Sequence, residues 1–149
     1  MHNVHAWDVS SATTLEGMFY NDPFMNDDVS NNEFSYWKVS NVQNMDYMFY
    51  GCSKFVGTNS GIDAWDTSQV TSMRNMFGDA VSFEGNLKSW DVSKVTHMDS
   101  MFHLSGKRTI FSTKFYQAKR TITFTTFQQI MRAGHTGSVN MYALSLIHI

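Results

Sequence analysis

A charged residue directly follows every tryptophan of this chain, which places three carboxylates and one amine at equivalent positions. If the tryptophan segments are strands, these side chains form one column on the outer face, beside an exposed phenol. Such a column could bind a basic peptide, a cation or a sugar. The alternative is that each Asp bonds backbone N–H groups of the following turn, since like charges facing each other are unfavourable. The candidate binding residues are Asp8, Tyr36, Lys38, Asp66 and Asp91.

Catalytic and metal-binding patterns are weak in comparison. His97 and His103 are six residues apart and belong to no H-E-x-x-H motif. A nucleophilic Cys52 would need a basic partner, which the sequence does not identify, so we expect a small buried residue and not a nucleophile. The acidic insertion at residues 22–28 lacks the ligand order of a calcium loop. The sequence therefore predicts no catalytic residue, no metal and no cofactor, and the protein is predicted not to be an enzyme.

One phrase, W-D-V-S-x-V-x-x-M-x-x-M-F, accounts for all four tryptophans. Its copies cover residues 7–19, 37–49, 65–77 and 90–102, with 30, 28 and 25 residues between successive tryptophans. A period of this length is typical of proteins in which each repeat buries its apolar face against the next one. Seven of the 11 methionines occupy repeated apolar positions, so core packing explains their abundance.

Apolar periodicity changes within each copy. Alternation around the tryptophan predicts strands near residues 5–9, 36–39, 63–67 and 88–92. The V-x-x-M-x-x-M-F spacing predicts one helix face near residues 12–19, 42–49, 70–77 and 95–102. The predicted fold class is α/β: a leucine-rich-repeat-like solenoid of four repeats, with short parallel strands on one face, short helices on the other and an irregular C-terminal tail.

At this point the chain resembles the BspA-like leucine-rich-repeat surface proteins over about residues 4–103. The L-x-x-L-x-L core of the leucine-rich repeat maps onto Leu87, Trp90 and Val92. The leucine-rich repeat has an asparagine after this core, but apolar residues stand at that position in all four copies here. The resemblance implies a secreted or cell-surface location and a role in adhesion or protein binding. The apolar replacements are Ala12, Val42, Val70 and Val95.

Charge divides the chain into two regions. Residues 1–104 hold all 13 acidic residues and five of the 11 Lys and Arg, a net charge of −8. Residues 105–149 hold the other six and no acid, a net charge of +6. We therefore predict a repeat region at 1–104 and a non-repeat tail at 105–149. The final LSLIHI resembles the translated end of a transposon-type sequencing adapter, and a frameshift near Gly106 would explain the charge change. The alternative is a natural basic tail that binds acidic surfaces.

The predicted function is a non-catalytic surface binding or adhesion scaffold that engages a protein or glycan partner through the strand face. The alternative is a repeat spacer of a larger multidomain enzyme or receptor whose functional domain is missing from this fragment. No nucleic-acid partner is predicted. No apolar run reaches the roughly 20 residues of a membrane span, and the first ten residues lack the basic start and apolar stretch of a signal peptide.

Overall fold

A computed structural model describes residues 4–25, 33–87 and 89–106. Regular structure within these ranges consists of two short 3₁₀ helices, Val4–Ala6 and Ile62–Ala64. Isolated parallel bridges join Thr14 to Asn44, Asn44 to Ser72, and Ser72 to His97, one residue from each repeat. The described residues form neither an α-helix nor a β-sheet, so the predicted α/β leucine-rich-repeat-like solenoid is wrong. The predicted irregular tail falls almost entirely on residues 107–149, which lie outside the described ranges.

A left-handed residue interrupts each predicted helix. The residue ten positions after each tryptophan has a positive φ: 61° at Gly17, 59° at Tyr47, 50° at Asn75 and 53° at Ser100. A right-handed α-helix cannot continue through such a residue, because it requires a φ of about −60°. The helices predicted near 12–19, 42–49, 70–77 and 95–102 are therefore wrong. A second set of left-handed residues lies fourteen positions after each tryptophan, at Asn21, Gly51, Asp79 and Leu104.

Backbone hydrogen bonds in these segments run mainly between repeats. The N–H groups of Leu15, Gly17 and Phe19 donate to carbonyl groups of the second repeat at 2.9, 2.9 and 3.0 Å. Intervening N–H groups close four-residue β-turns, as Met18 does on the Leu15 carbonyl at 3.2 Å. The second and third repeats bond their successors in the same alternating way. Buried backbone groups need hydrogen-bond partners. Each repeat therefore depends on its neighbour for backbone hydrogen bonds that a helix would form internally.

The predicted strands are also wrong, because turns enclose the tryptophan on both sides. In the second repeat, the Trp37 N–H donates to the Phe34 carbonyl at 3.1 Å, and the Val42 N–H donates to the Val39 carbonyl at 2.9 Å. The other repeats contain equivalent bonds, although residue 88 lies outside the described ranges. The predicted alternation of direction is nevertheless confirmed in this repeat: Trp37 and Val39 are buried, and Lys38 between them is exposed.

The core contains two aromatic stacks that run through the repeats. The ring centroids of Trp37 and Trp65 are 6.0 Å apart and those of Trp65 and Trp90 are 6.1 Å apart, with interplanar angles of 7° and 11°. The indole N–H groups of these three tryptophans each donate to a carbonyl of the preceding repeat, at 2.7–3.0 Å. A second stack joins Phe19, Phe49, Phe77 and Phe102 at 5.5, 5.6 and 5.7 Å. The predicted burial of the repeated apolar residues is thus confirmed for the inner repeats.

Candidate functional site

The aspartates of the predicted binding column are exposed, and each is engaged in its own turn. The carboxylates of Asp8, Asp66 and Asp91 accept hydrogen bonds from the backbone N–H two residues later, at 2.9, 3.0 and 2.9 Å. Hydrogen bonds from the Ser10 and Ser68 side chains, and then from their backbone N–H groups, hold the pKa values of Asp8 and Asp66 below the usual range. The turn interpretation of these aspartates is therefore confirmed, and a role in binding stays a prediction.

The other two column candidates do not occupy a strand face, because no strand exists in the described part of the chain. Tyr36 is 74% exposed, and Lys38 is exposed beside the tryptophan stack. The positive charge of Lys38 also contributes to the lowered pKa of Asp8, after the Ser10 hydrogen bonds. The five candidates thus belong to exposed turns, and the prediction that a sheet presents them is wrong.

The structure brings together a different set of residues, which the sequence did not single out. An open cleft of about 690 Å³ is lined by Thr14, Glu16, Gly17, Tyr20 and Tyr47. We call it the tyrosine cleft. Tyr20 is 51% exposed and Tyr47 is 36% exposed, so both rings face solvent. Their centroids are 6.2 Å apart and their planes are inclined by 63°. None of the five column candidates lines this cleft.

A third tyrosine, Tyr50, contacts both cleft rings, and its edge contact with Tyr47 has centroids 6.0 Å apart and an interplanar angle of 61°. The Tyr50 ring stacks on Tyr20, with centroids 5.2 Å apart and an interplanar angle of 10°. The Tyr50 hydroxyl donates a hydrogen bond to Asp79, which is the main reason that its pKa rises from 10.0 to about 12. A Cβ added at Gly78 would lie 2.8 Å from Cδ2 of Tyr50. The absence of a side chain at Gly78 therefore allows the Tyr50 ring to pack closely there and to support Tyr20.

The acidic residue of the cleft is held from two sides. The Glu16 N–H donates to Oγ1 of Thr14 at 3.2 Å. Oε2 of Glu16 accepts a hydrogen bond from Nδ2 of Asn44 at 3.1 Å. The side chain of Asn44 also accepts the Asp46 N–H through its oxygen, at 2.7 Å. One carboxylate oxygen of Glu16 is thus engaged by the second repeat, and Oε1 faces no hydrogen-bond donor among the described residues.

Side-chain hydrogen bonds of this kind also link the second repeat to the third and the third to the fourth. Asp46 is only 7% exposed. Its Oδ1 accepts hydrogen bonds from Oγ of Ser72 at 2.5 Å and from the Arg74 N–H at 2.6 Å. Nε of Arg74 donates to Oδ2 of Asp99 at 3.1 Å. Charge-assisted hydrogen bonds of this kind are stronger than neutral ones. They add side-chain links to the backbone bonds that hold the repeats, and with them the cleft residues, in register.

Cys52 is unsuited to nucleophilic chemistry. Its thiol is buried and donates to the Phe19 carbonyl oxygen at 2.9 Å. Burial raises the pKa of this thiol to about 12, and only the thiolate is a strong nucleophile. The expectation of a small buried cysteine is confirmed.

Residues 4–25, 33–87 and 89–106 contain neither a cluster of metal ligands nor a membrane-spanning helix. No group of three or more His, Cys, Asp or Glu side chains is close enough there to hold a metal ion. No helix in these ranges has the length and apolar character needed to cross a bilayer.

The architecture and the cleft define a tandem-repeat protein whose turns interlock and whose surface carries a cluster of tyrosines. The chain belongs to the family described as Mycoplasma protein of unknown function, DUF285, which it matches over residues 1–61 and 24–132. The resemblance to BspA-like leucine-rich-repeat proteins is therefore wrong as a family assignment, and the structure does not support the leucine-rich-repeat and solenoid descriptions. No curated protein and no solved structure matches the chain significantly. The family description assigns no activity.

Proposed function

We propose that the repeats form a non-catalytic binding module that engages a protein or glycan partner, with the tyrosine cleft as its main contact surface. The exposed pair of Tyr20 and Tyr47 carries this proposal. Tyrosine combines a large apolar ring with a polar hydroxyl and loses little conformational entropy when it is bound, which is why binding surfaces favour it. The cleft volume of about 690 Å³ lies within the roughly 300–1,000 Å³ of common ligand sites.

Tyr47 gives the proposal a second support. It has a φ of 59°, in the left-handed region that bulky residues rarely adopt. The equivalent residue in the first repeat is Gly17, for which this conformation carries no steric penalty. A strained tyrosine that is also exposed gains little from core packing. The same conformation recurs at Asn75 and Ser100, so it belongs to the repeat backbone. The support for binding is that a bulky, partly exposed ring stands at this position.

The column of Asp8, Tyr36, Lys38, Asp66 and Asp91 is proposed as a second, weaker contact surface. Its aspartates already bond their own turns, so a partner would meet partly satisfied carboxylates. We further propose that the module acts at the cell surface or in secreted form. Labelling of intact cells with a membrane-impermeant reagent tests that location, and labelling only after lysis would contradict it.

The alternative proposal is a repeat spacer within a larger enzyme or receptor. Its support is the alternating hydrogen bonding between successive repeats, since a spacer needs a rigid connection. A spacer has no ligand of its own. The two proposals therefore differ in whether the isolated chain binds anything saturably.

The 149-residue chain should be tested on a glycan array and on a peptide array, with titration of every positive spot. We expect saturable binding that Tyr20→Leu and Tyr47→Leu each weaken. The control is Phe24→Leu, because Phe24 is 67% exposed and does not line the cleft. Binding that only Tyr36→Leu weakens would transfer the main site to the column. Absence of saturable binding on both arrays would overturn the binding module and favour the spacer.

A further inference from the structure

We propose that the tyrosine cleft takes the positively charged side chain of an arginine, or less tightly of a lysine, from a protein partner. This inference rests on the proposed binding function and names the ligand chemistry of the same site. It follows from the arrangement of the rings, the carboxylate beside them and the charge of the repeat region.

The two cleft rings are arranged to contact one cation together. Their planes are inclined by 63° and their centroids are 6.2 Å apart. A cation is attracted to the face of a tyrosine ring when it lies within about 6 Å of the centroid. Tyr20 and Tyr47 contact each other edge to face and line the same cleft, so a cation bound there lies close to both rings. Tyr50 stacks against Tyr20 at 5.2 Å and limits its rotation, so little ordering is needed on binding.

Glu16 provides the counter-charge. Asn44 engages Oε2 of this carboxylate, while Oε1 faces no donor among the described residues. A guanidinium stacked on a ring extends its N–H donors in the ring plane, where a neighbouring carboxylate oxygen can accept them. Hydrogen bonds between ionised groups are roughly twice as strong as neutral ones. Arginine therefore fits the site better than lysine, whose ammonium is compact and strongly hydrated.

The charge of the repeat region favours a cation over a neutral sugar. Residues 1–104 carry a net charge of −8, from 13 acidic residues and five Lys and Arg. A negative surface raises the local concentration of cationic partners and increases their association rate. A sugar could stack on the same rings and donate hydroxyl hydrogen bonds to Glu16, but its association would gain nothing from the net charge.

Isothermal titration of the 149-residue chain with blocked tripeptides tests the inference. The probes are acetyl-Gly-Arg-Gly-amide, its citrulline analogue, which is isosteric and neutral, the lysine analogue, and maltose as a neutral sugar. We expect the arginine probe to bind about three- to thirtyfold more tightly than the citrulline probe. An exposed ion pair contributes about 0.2–1 kcal/mol and an exposed cation–π contact about 0.5–1 kcal/mol, and 1.4 kcal/mol is tenfold. Raising NaCl from 50 to 500 mM should weaken arginine binding, because salt screens exposed charges.

Variants then assign the binding to the cleft. Tyr20→Leu should weaken the arginine probe by roughly two- to fivefold, the equivalent of about 0.5–1 kcal/mol for an exposed cation–π contact. Tyr20→Phe retains the ring and should weaken the arginine probe less than Tyr20→Leu does, which attributes the loss to the ring. Glu16→Gln should remove most of the preference for arginine over citrulline. Asp63→Asn is the charge-matched control, because Asp63 is exposed and lies outside the cleft.

Equal binding of arginine and citrulline would overturn the inference, and so would arginine binding that neither Tyr20→Leu nor Glu16→Gln affects. Maltose binding that Tyr20→Leu abolishes would overturn the ligand class while supporting the binding module. If no probe binds, the inference fails, and the array titrations decide separately whether the chain is a binding module at all.

Discussion

Trp65 offers the most direct test of the packing, because it lies between two other tryptophans. It is 4% exposed, and its ring stacks on Trp37 and Trp90 at 6.0 and 6.1 Å. Its indole N–H donates to the Phe34 carbonyl at 3.0 Å. Truncation of a buried tryptophan to Ala costs about 3–5 kcal/mol. The lost hydrogen bond adds about 1 kcal/mol, because the same carbonyl keeps the Trp37 N–H at 3.1 Å. We expect Trp65→Ala to lower the free energy of unfolding by about 4–6 kcal/mol.

Trp7 provides a matched comparison within the same chain. It is 44% exposed and has a tryptophan neighbour on one side only, Trp37 at 6.3 Å. Its partial burial and single tryptophan contact imply a loss of about 1–2 kcal/mol in Trp7→Ala. Trp65→Phe retains a stacked ring and loses the indole donor, so its expected cost is intermediate, about 1–3 kcal/mol.

Urea denaturation of the full chain gives these differences, since both Ala variants retain three tryptophans as fluorescent probes. Near-UV circular dichroism is needed as a second probe, because repeat proteins do not always unfold in two states. Coincident midpoints from the two probes would justify the two-state free energies. A loss below about 0.5 kcal/mol in Trp65→Ala would show that this ring is not packed in a core. An equal loss in Trp7→Ala and Trp65→Ala would contradict the inner stacking.

Three further outcomes follow from single residues. Cys52 should not react with a thiol reagent at pH 8 until the chain is unfolded, because burial raises its pKa to about 12; rapid labelling of the native chain would contradict this. The ring carbon signal of Tyr50 in NMR should titrate near pH 12, and Asp79→Asn should lower that pKa; an unchanged pKa in the variant would refute the hydrogen bond. Because the pKa is raised in the folded chain, the stability from this bond is complete below pH 10.0 and is lost as the pH rises towards 12. Ser100→Gly should stabilise the chain by about 0.5–1 kcal/mol, because φ is 53° there and glycine adopts this conformation without strain. Ser40→Gly is the control and should not stabilise the chain, because Ser40 has no positive φ. If thermal denaturation shows that Ser100→Gly loses stability, the helix predicted near residues 95–102 is favoured instead.

Sequence periodicity predicted the buried residues of the inner repeats correctly, whereas Trp7 of the first repeat is 44% exposed. Met45, Met73 and Met98 are each 0% exposed, as expected from the recurring V-x-x-M spacing. This success has a simple cause. Burial depends on which side chains are apolar and how regularly they recur, and both are visible in the letters of four aligned copies.

Secondary structure was not predictable from the same pattern, because a spacing of three suits two conformations. Apolar residues at i, i+3 and i+6 fit one face of a helix. They equally fit successive β-turns, in which an N–H donates to the carbonyl three residues earlier. The left-handed residue decides between these alternatives. Gly17 and Asn75 are types that favour it, but Tyr47 and Ser100 are not, so the position did not stand out. The acceptors of the N–H groups belong to the next repeat, and no local propensity reveals a partner about 30 residues away.

The tyrosine cleft depends on differences between repeats and not on the residues that the repeats share. The residue thirteen positions after the tryptophan is Tyr20 in the first repeat, Tyr50 in the second and Gly78 in the third. Gly78 leaves space for the Tyr50 ring, and Tyr50 stacks on Tyr20 in turn. A side chain at residue 78 would push Tyr50 away and loosen Tyr20 without touching the cleft. The shared apolar residues therefore determine where the backbone lies, and the variable outer positions of three successive repeats together determine what that backbone presents to a partner.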